Sequence, residues 1–100
     1  MVRMVSDEER DRIAEELEKL YSLINRRRFY ELLGDLEAER VKSLQEEAMK
    51  IAEKLQLSAE EVETMADEMD DYNITGVSKR GDVAPLDYWV DVIISRIDKK

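Results

Sequence analysis

One proline and three glycines in 100 residues leave this chain few places to turn. Two of the glycines, Gly76 and Gly81, and the proline, Pro85, fall within ten residues of one another. The rest of the sequence runs through long polar-apolar periodic stretches. Such sparse punctuation suits helices with short joints and argues against a sandwich or barrel of many strands, which needs turn residues every eight to twelve positions.

The periodic stretches read as helices with marked starts. Ser6-Asp7-Glu8-Glu9 is a capping box, in which the Ser6 hydroxyl can accept from the Glu9 amide. Ile13, Leu17, Leu20, Tyr21 and Ile24 then follow at helical spacing, so one stripe of a first helix is apolar. The pattern slips near Asn25. Residues 26–33 read as a short second helix or a bent extension of the first, with Phe29, Leu32 and Leu33 as a core face. Gly34 is a natural stop and Asp35 a natural N-cap. From Leu36 to Leu57 the residues Val41, Leu44, Ala48, Ile51 and Leu55 alternate steps of three and four over about two heptads, too few for a coiled coil but fit for a core helix. Ser58-Ala59-Glu60-Glu61 is a second capping box, ahead of the stripe Val62, Met65, Ala66, Met69 and Tyr72. Asn73 to Ala84 is irregular and reads as a loop or a small β-hairpin wing. Pro85 then suits the first turn of a last helix with Leu86, Val90, Ile93, Ile94 and Ile97 on its buried face, and Lys99 and Lys100 suit its negative end.

The hydrophobic fraction of 43% supports a real core, and 41% charged residues give a densely charged surface. The net charge of −9 is concentrated. Residues 58–78 hold seven acidic side chains and no basic one. A net-negative chain is repelled by phosphate backbones and anionic membranes and favours basic partners. No Cys is present, so disulfide and thiolate chemistry are excluded. The N-terminus, Met1 to Val5, lacks the apolar run of a signal peptide, and no stretch approaches a membrane span. These features read as one cytoplasmic helical domain over residues 1–100.

Four patterns are candidates for function. Ala52, Leu55, Leu57, Ser58, Val62 and Met65 are spaced like the buried positions and turn of a helix-turn-helix. Gln56 falls where that turn needs a left-handed residue, at a cost of about 1 kcal/mol for a non-glycine. The second helix would be the DNA reader, yet its leading residues are Ala59, Glu60, Glu61, Glu63 and Thr64, and phosphate must be gripped by basic neighbours. Lys79 and Arg80 at a wing tip, with Arg26-Arg27-Arg28, would be needed to carry a winged-helix reading. Asp71-Tyr72-Asn73-Ile74-Thr75-Gly76 resembles the start of an EF-hand calcium loop, with Asp82 at its twelfth position; Lys79 and Arg80 within it, and Asp in place of a bidentate Glu, weaken the ligand set.

The remaining two patterns are surfaces. The basic-aromatic run Arg26, Arg27, Arg28, Phe29 and Tyr30 can grip a partner, or satisfy acids on neighbouring helices. The acidic helix Glu60–Asp71 can dock a basic partner. For catalysis there is no His, no Cys, no glycine-rich phosphate loop and no zinc spacing.

The expectation is therefore an all-α compact bundle of four to five helices with a helix-turn-helix-like centre. The expected function is non-enzymatic: a small regulator or a subunit of a complex, without cofactor or metal, docking a protein partner with a basic surface. Glu60, Glu63, Asp67, Asp71, Arg26, Arg27, Arg28 and Tyr30 are the partner-binding candidates. A homodimer through the Val41–Leu55 seam or the Ile-rich last helix fits the same pattern. The alternatives are a winged-helix DNA-binding transcription regulator and an EF-hand-like calcium binder.

Overall fold

In the computed structural model, residues 6–34 and 38–98 are described. They form four helices: α1 (Asp7–Leu32), α2 (Ala38–Lys54), α3 (Ala59–Thr75) and α4 (Pro85–Asp98). No strand occurs among the described residues. The expected N-cap Asp35, the start of the second long helix at Leu36 and the terminal Lys99 and Lys100 lie outside them.

The helix starts follow the capping logic. Ser6 accepts from the Glu9 amide at 3.2 Å. Ser58 makes a full capping box: its hydroxyl accepts from the Glu61 amide at 3.2 Å, and the Glu61 carboxylate accepts from the Ser58 amide at 3.0 Å. α1 runs unbroken through the slip at Asn25, so residues 26–32 extend the first helix rather than form a second one.

The turn from α2 to α3 is tight. The Leu57 amide reaches back to the Ala52 carbonyl and the Gln56 amide to the Glu53 carbonyl, a pattern that requires a left-handed residue between them. Gln56 supplies it, with φ of 62°. At the far end of α3, Gly76 takes the same conformation (φ 73°) and its amide caps the Tyr72 carbonyl. Residues 76–84 form a loop of turns, held by the Ser78 hydroxyl donating to the Val83 carbonyl at 2.5 Å.

The core is built from the expected stripes. Leu17, Leu20, Leu23 and Ile24 of α1 meet Ala48 and Ala52 of α2, Val62, Met65, Ala66 and Met69 of α3, and Trp89, Val90 and Ile93 of α4. Each large side chain buried this way contributes about 1.5–3 kcal/mol. Ala48 and Ala52 carry no bulk, which suits helices packed closely together.

α1 lies antiparallel to α2, as the pairs Lys54–Glu16 and Arg40–Tyr30 show. α3 packs across α1, with Tyr21 meeting Asp70 and Arg28 meeting Glu63. At 26 residues α1 is much longer than its partners. The last residue it buries is Ile24 and the first that α2 buries is Ala48. Beyond Arg28, the last α1 residue seen to pair with α3, the end of α1 and the start of α2 form the tip. The molecule is accordingly elongated, 51 × 31 × 22 Å.

Candidate interaction surfaces

The α1 stripe continues past Ile24 at helical spacing onto Arg27 and Arg28, so the arginines occupy positions that apolar residues hold lower down. They face α3. Arg27 pairs with Glu63 and donates to Gln45 of α2 at 2.5 Å, and its Nε lies 2.7 Å from Glu31. Arg28 bridges Glu63 (3.1 Å), Asp67 (2.9 Å) and Asp70 (3.5 Å). Burial pushes the Glu63 carboxyl up, but the two arginines outweigh it and hold the group below its ordinary value. Two of the candidate basic residues and two of the acidic ones, Glu63 and Asp67, thus meet inside one molecule. Glu60 stays exposed and Asp71 half-buried. Next to this network the Tyr21 hydroxyl donates to Asp70 and accepts from Asn73, and burial followed by Asp70 raises its pKa.

Arg26 points elsewhere. It is exposed, and makes no hydrogen bond or ion pair among the described residues. With Tyr30 it lines a shallow groove between α1 and α2 whose other wall is Arg40, Ser43 and Leu44. Arg40 donates to the Tyr30 hydroxyl at 3.0 Å and stacks over its ring at 5.2 Å. Phe29, one turn from Arg26, sets its ring edge-on to Tyr30 with centroids 5.4 Å apart. The expected core face at Phe29, Leu32 and Leu33 is corrected here: these side chains are 58%, 86% and 49% exposed. They lie off the buried stripe, whose positions pass to Arg27 and Arg28.

The loop at 76–84 is organised around Arg80. Its guanidinium holds Glu68 with two hydrogen bonds, 2.8 and 2.7 Å, and lies 4.0 Å from the Tyr88 ring centre. Glu68 is buried, and sequence reasoning missed it. The signal was present, because Glu68 stands three residues after Met65 and four before Tyr72, within the apolar stripe of α3. Trp89 of α4, outside the stripe read from the sequence, is in the core. Lys79 remains exposed. Asp71, Asn73 and Thr75, the would-be calcium ligands, lie on the last turn of α3 rather than in a loop. Among the described residues no group of three or more acidic side chains converges to hold a metal ion.

An apolar groove of about 360 Å³ runs beside this loop, lined chiefly by Tyr21, Met69, Tyr72, Pro85 and Leu86. At the opposite end of α3, Arg96 holds Glu61 through its two terminal guanidinium nitrogens and donates to the Gln56 carbonyl at 2.9 Å. Arg96 first, and then the Ser58 amide and hydroxyl, hold the Glu61 carboxyl down at about 2, against the opposing effect of burial.

No family model, curated protein or solved structure matched the chain. Among the described residues no helix is long and apolar enough to cross a membrane.

Proposed function

We propose that this protein is a non-enzymatic interaction module, a small regulator or a subunit of a larger complex, that docks a partner protein through the α1–α2 tip. The observation that carries the reading is the exposure of Phe29, Leu32 and Leu33 together, on a helix whose other large apolar residues are buried or half-buried. Clustered exposed apolar residues beside arginine and tyrosine are the composition of a binding surface. The internal pairing of Glu63 and Asp67 with Arg27 and Arg28 neutralises part of the acidic face of α3, which moves the weight of the reading from that face to the tip.

A winged-helix reading draws on the left-handed Gln56 in the turn before α3. It has less support, because Arg80, one of its two wing cations, is engaged by Glu68, and the leading residues of α3 remain acidic.

The test is affinity capture from a lysate of the source cells, with and without nuclease, comparing the natural chain with a Phe29→Asp/Leu32→Asp variant. The expected result is a set of proteins retained despite nuclease and lost from the variant. Retention that disappears with nuclease, or retention equal for both chains, overturns the reading.

A further inference from the structure

The groove of about 360 Å³ beside the 76–84 loop lies where three helices meet. α1 contributes Glu18 and Tyr21, the end of α3 contributes Met69, Tyr72 and Asn73, and α4 contributes its first residues, Pro85 and Leu86. The volume falls at the lower end of the range for small-molecule sites, roughly 300–1,000 Å³. The lining is mostly apolar or aromatic, with Met69 and Pro85 buried at its base.

Among the described residues that line it, Glu18 is the one charged side chain. Glu18 is exposed, and its carboxylate makes no hydrogen bond or ion pair among the described residues. The positions one turn away on α1, Ala14, Glu15, Tyr21 and Ser22, offer it no cation. Across the groove Tyr72 brings an aromatic ring, and its hydroxyl has no hydrogen-bond partner among the described residues. Tyr72 and Asn73 also stand in the last turn of α3, at the negative end of that helix, where no basic residue occurs. The positive end of α4 is answered by Asp87 in its first turn. Arg28, which reaches Asp70 beside Tyr21, is matched by three carboxylates, and Arg80 is held by Glu68. Lys79 does not line the groove.

An unanswered carboxylate and a helix C-terminus at the edge of an aromatic groove match a positively charged nitrogen on an apolar body. The nitrogen gains from the carboxylate and from the tyrosine ring, and the hydrocarbon covers Met69, Pro85 and Leu86. An anion of the same shape is repelled by Glu18. We propose that this groove binds a small organic cation, an amine carried on one aromatic ring or a short alkyl chain. A cleft of this volume, enclosed from three helices, holds a compact ligand rather than a length of peptide. The site is separate from the α1–α2 tip and does not rest on the reading of that tip.

The experiment titrates the whole chain, labelled with nitrogen-15, with three probes of one hydrocarbon: phenylbutylamine, phenylbutanol and phenylbutyrate at pH 7. The amine is expected to shift the backbone amides of Tyr21, Met69, Tyr72 and Leu86. It binds about threefold or more tighter than the alcohol, the scale of a part-exposed ion pair, and the acid binds weakest. Glu18→Gln removes the preference for the amine and leaves the alcohol unchanged. Tyr72→Leu keeps the apolar bulk and weakens the amine about twofold or more relative to the alcohol, through loss of the ring. Glu46→Gln, the same charge change at an exposed position of α2, leaves all three unaltered. The spectrum of each variant reports that it is folded.

Equal affinity for amine and alcohol, or an amine preference that survives Glu18→Gln, overturns the cation. Amine shifts scattered over the acidic surface and reduced as much by Glu46→Gln mean attraction to the net charge alone, and overturn the site. No shift at the groove with any probe removes it as a ligand site. A peptide, acetyl-Leu-Lys-Leu-amide, that binds tighter than the amine and depends on Glu18 assigns the groove to a lysine of a partner protein and overturns the free ligand. None of these outcomes bears on Phe29 and Leu32, so the tip stands or falls by its own test.

Discussion

Arg80 closes on Glu68 with two hydrogen bonds, and Glu68 is only 7% exposed, the one charged residue among the buried positions described. The pair ties the loop before α4 to the middle of α3, and the guanidinium is sandwiched against Tyr88. Removing one partner leaves a buried carboxylate without its counter-charge.

Arg80→Ala is accordingly expected to destabilise the fold by about 2 kcal/mol, below the usual cost of breaking a fully buried pair because Arg80 itself is partly solvated. For a domain of this size that corresponds to a melting temperature lower by on the order of 10 °C. The double change Glu68→Met/Arg80→Met should recover much of the loss, since an apolar pair fills the same space without a charge to satisfy. Thermal denaturation of the two variants checks both points.

Glu61 gives the fold a pH dependence. Its pKa falls from 4.5 to about 2 on folding, chiefly through Arg96. A depressed carboxylate stabilises the native state above its unfolded pKa, and the contribution is lost as pH falls through the folded value. Glu61→Gln should therefore be less stable than the natural chain at pH 7, by about 1–2 kcal/mol after allowance for solvent screening. The gap should narrow from about pH 4.5 downward and close near pH 2. Urea denaturation of both chains at pH 7, 4 and 2.5 measures it.

Gln56 holds a conformation that side chains disfavour, with φ of 62°. Its carbonyl, not its side chain, receives Arg96. Gln56→Gly should stabilise the protein by about 0.5–1 kcal/mol, the strain relieved exceeding the entropy that glycine adds to the unfolded chain. A higher urea midpoint with an unchanged slope would show it.

Two leucines of α1 should behave oppositely. Leu17 is fully buried and Leu32 is 86% exposed. Leu17→Ala is expected to cost about 3 kcal/mol through the cavity it leaves, and Leu32→Ala to stay within about 0.5 kcal/mol. Equal losses would mean that the tip is packed in solution.

The helices were legible because their signals are local. Ser6 and Ser58 cap where the boxes predict, and the stripes from Leu17 to Ile24 and from Val62 to Met69 go inside. Gln56 was legible for the same reason, since hydrogen bonding within four or five residues dictates its conformation. What stayed hidden depends on which helix lies opposite. Arg27 and Arg28 read equally as a binding cluster or as partners for neighbouring acids, and only the placement of α3 decides between them. Phe29, Leu32 and Leu33 look like core residues by composition, and they are exposed because they lie off the buried stripe of α1, whose positions at that level are Arg27 and Arg28. Glu68 shows the converse: its spacing says buried and its chemistry says exposed, and Arg80, twelve residues on, reconciles the two.

α1 is one helix by its backbone, but its two ends are anchored unequally. From Leu17 to Ile24 an amide can meet deuterium only when the whole bundle opens, whereas beyond Arg28 a single turn can come undone while the core stays closed. Unwinding there exposes little new apolar surface, so it occurs at low free energy and on its own. A molecule seated on the tip would therefore announce itself first in the exchange rates of the last turn of α1, as slowed local opening with no change of shape.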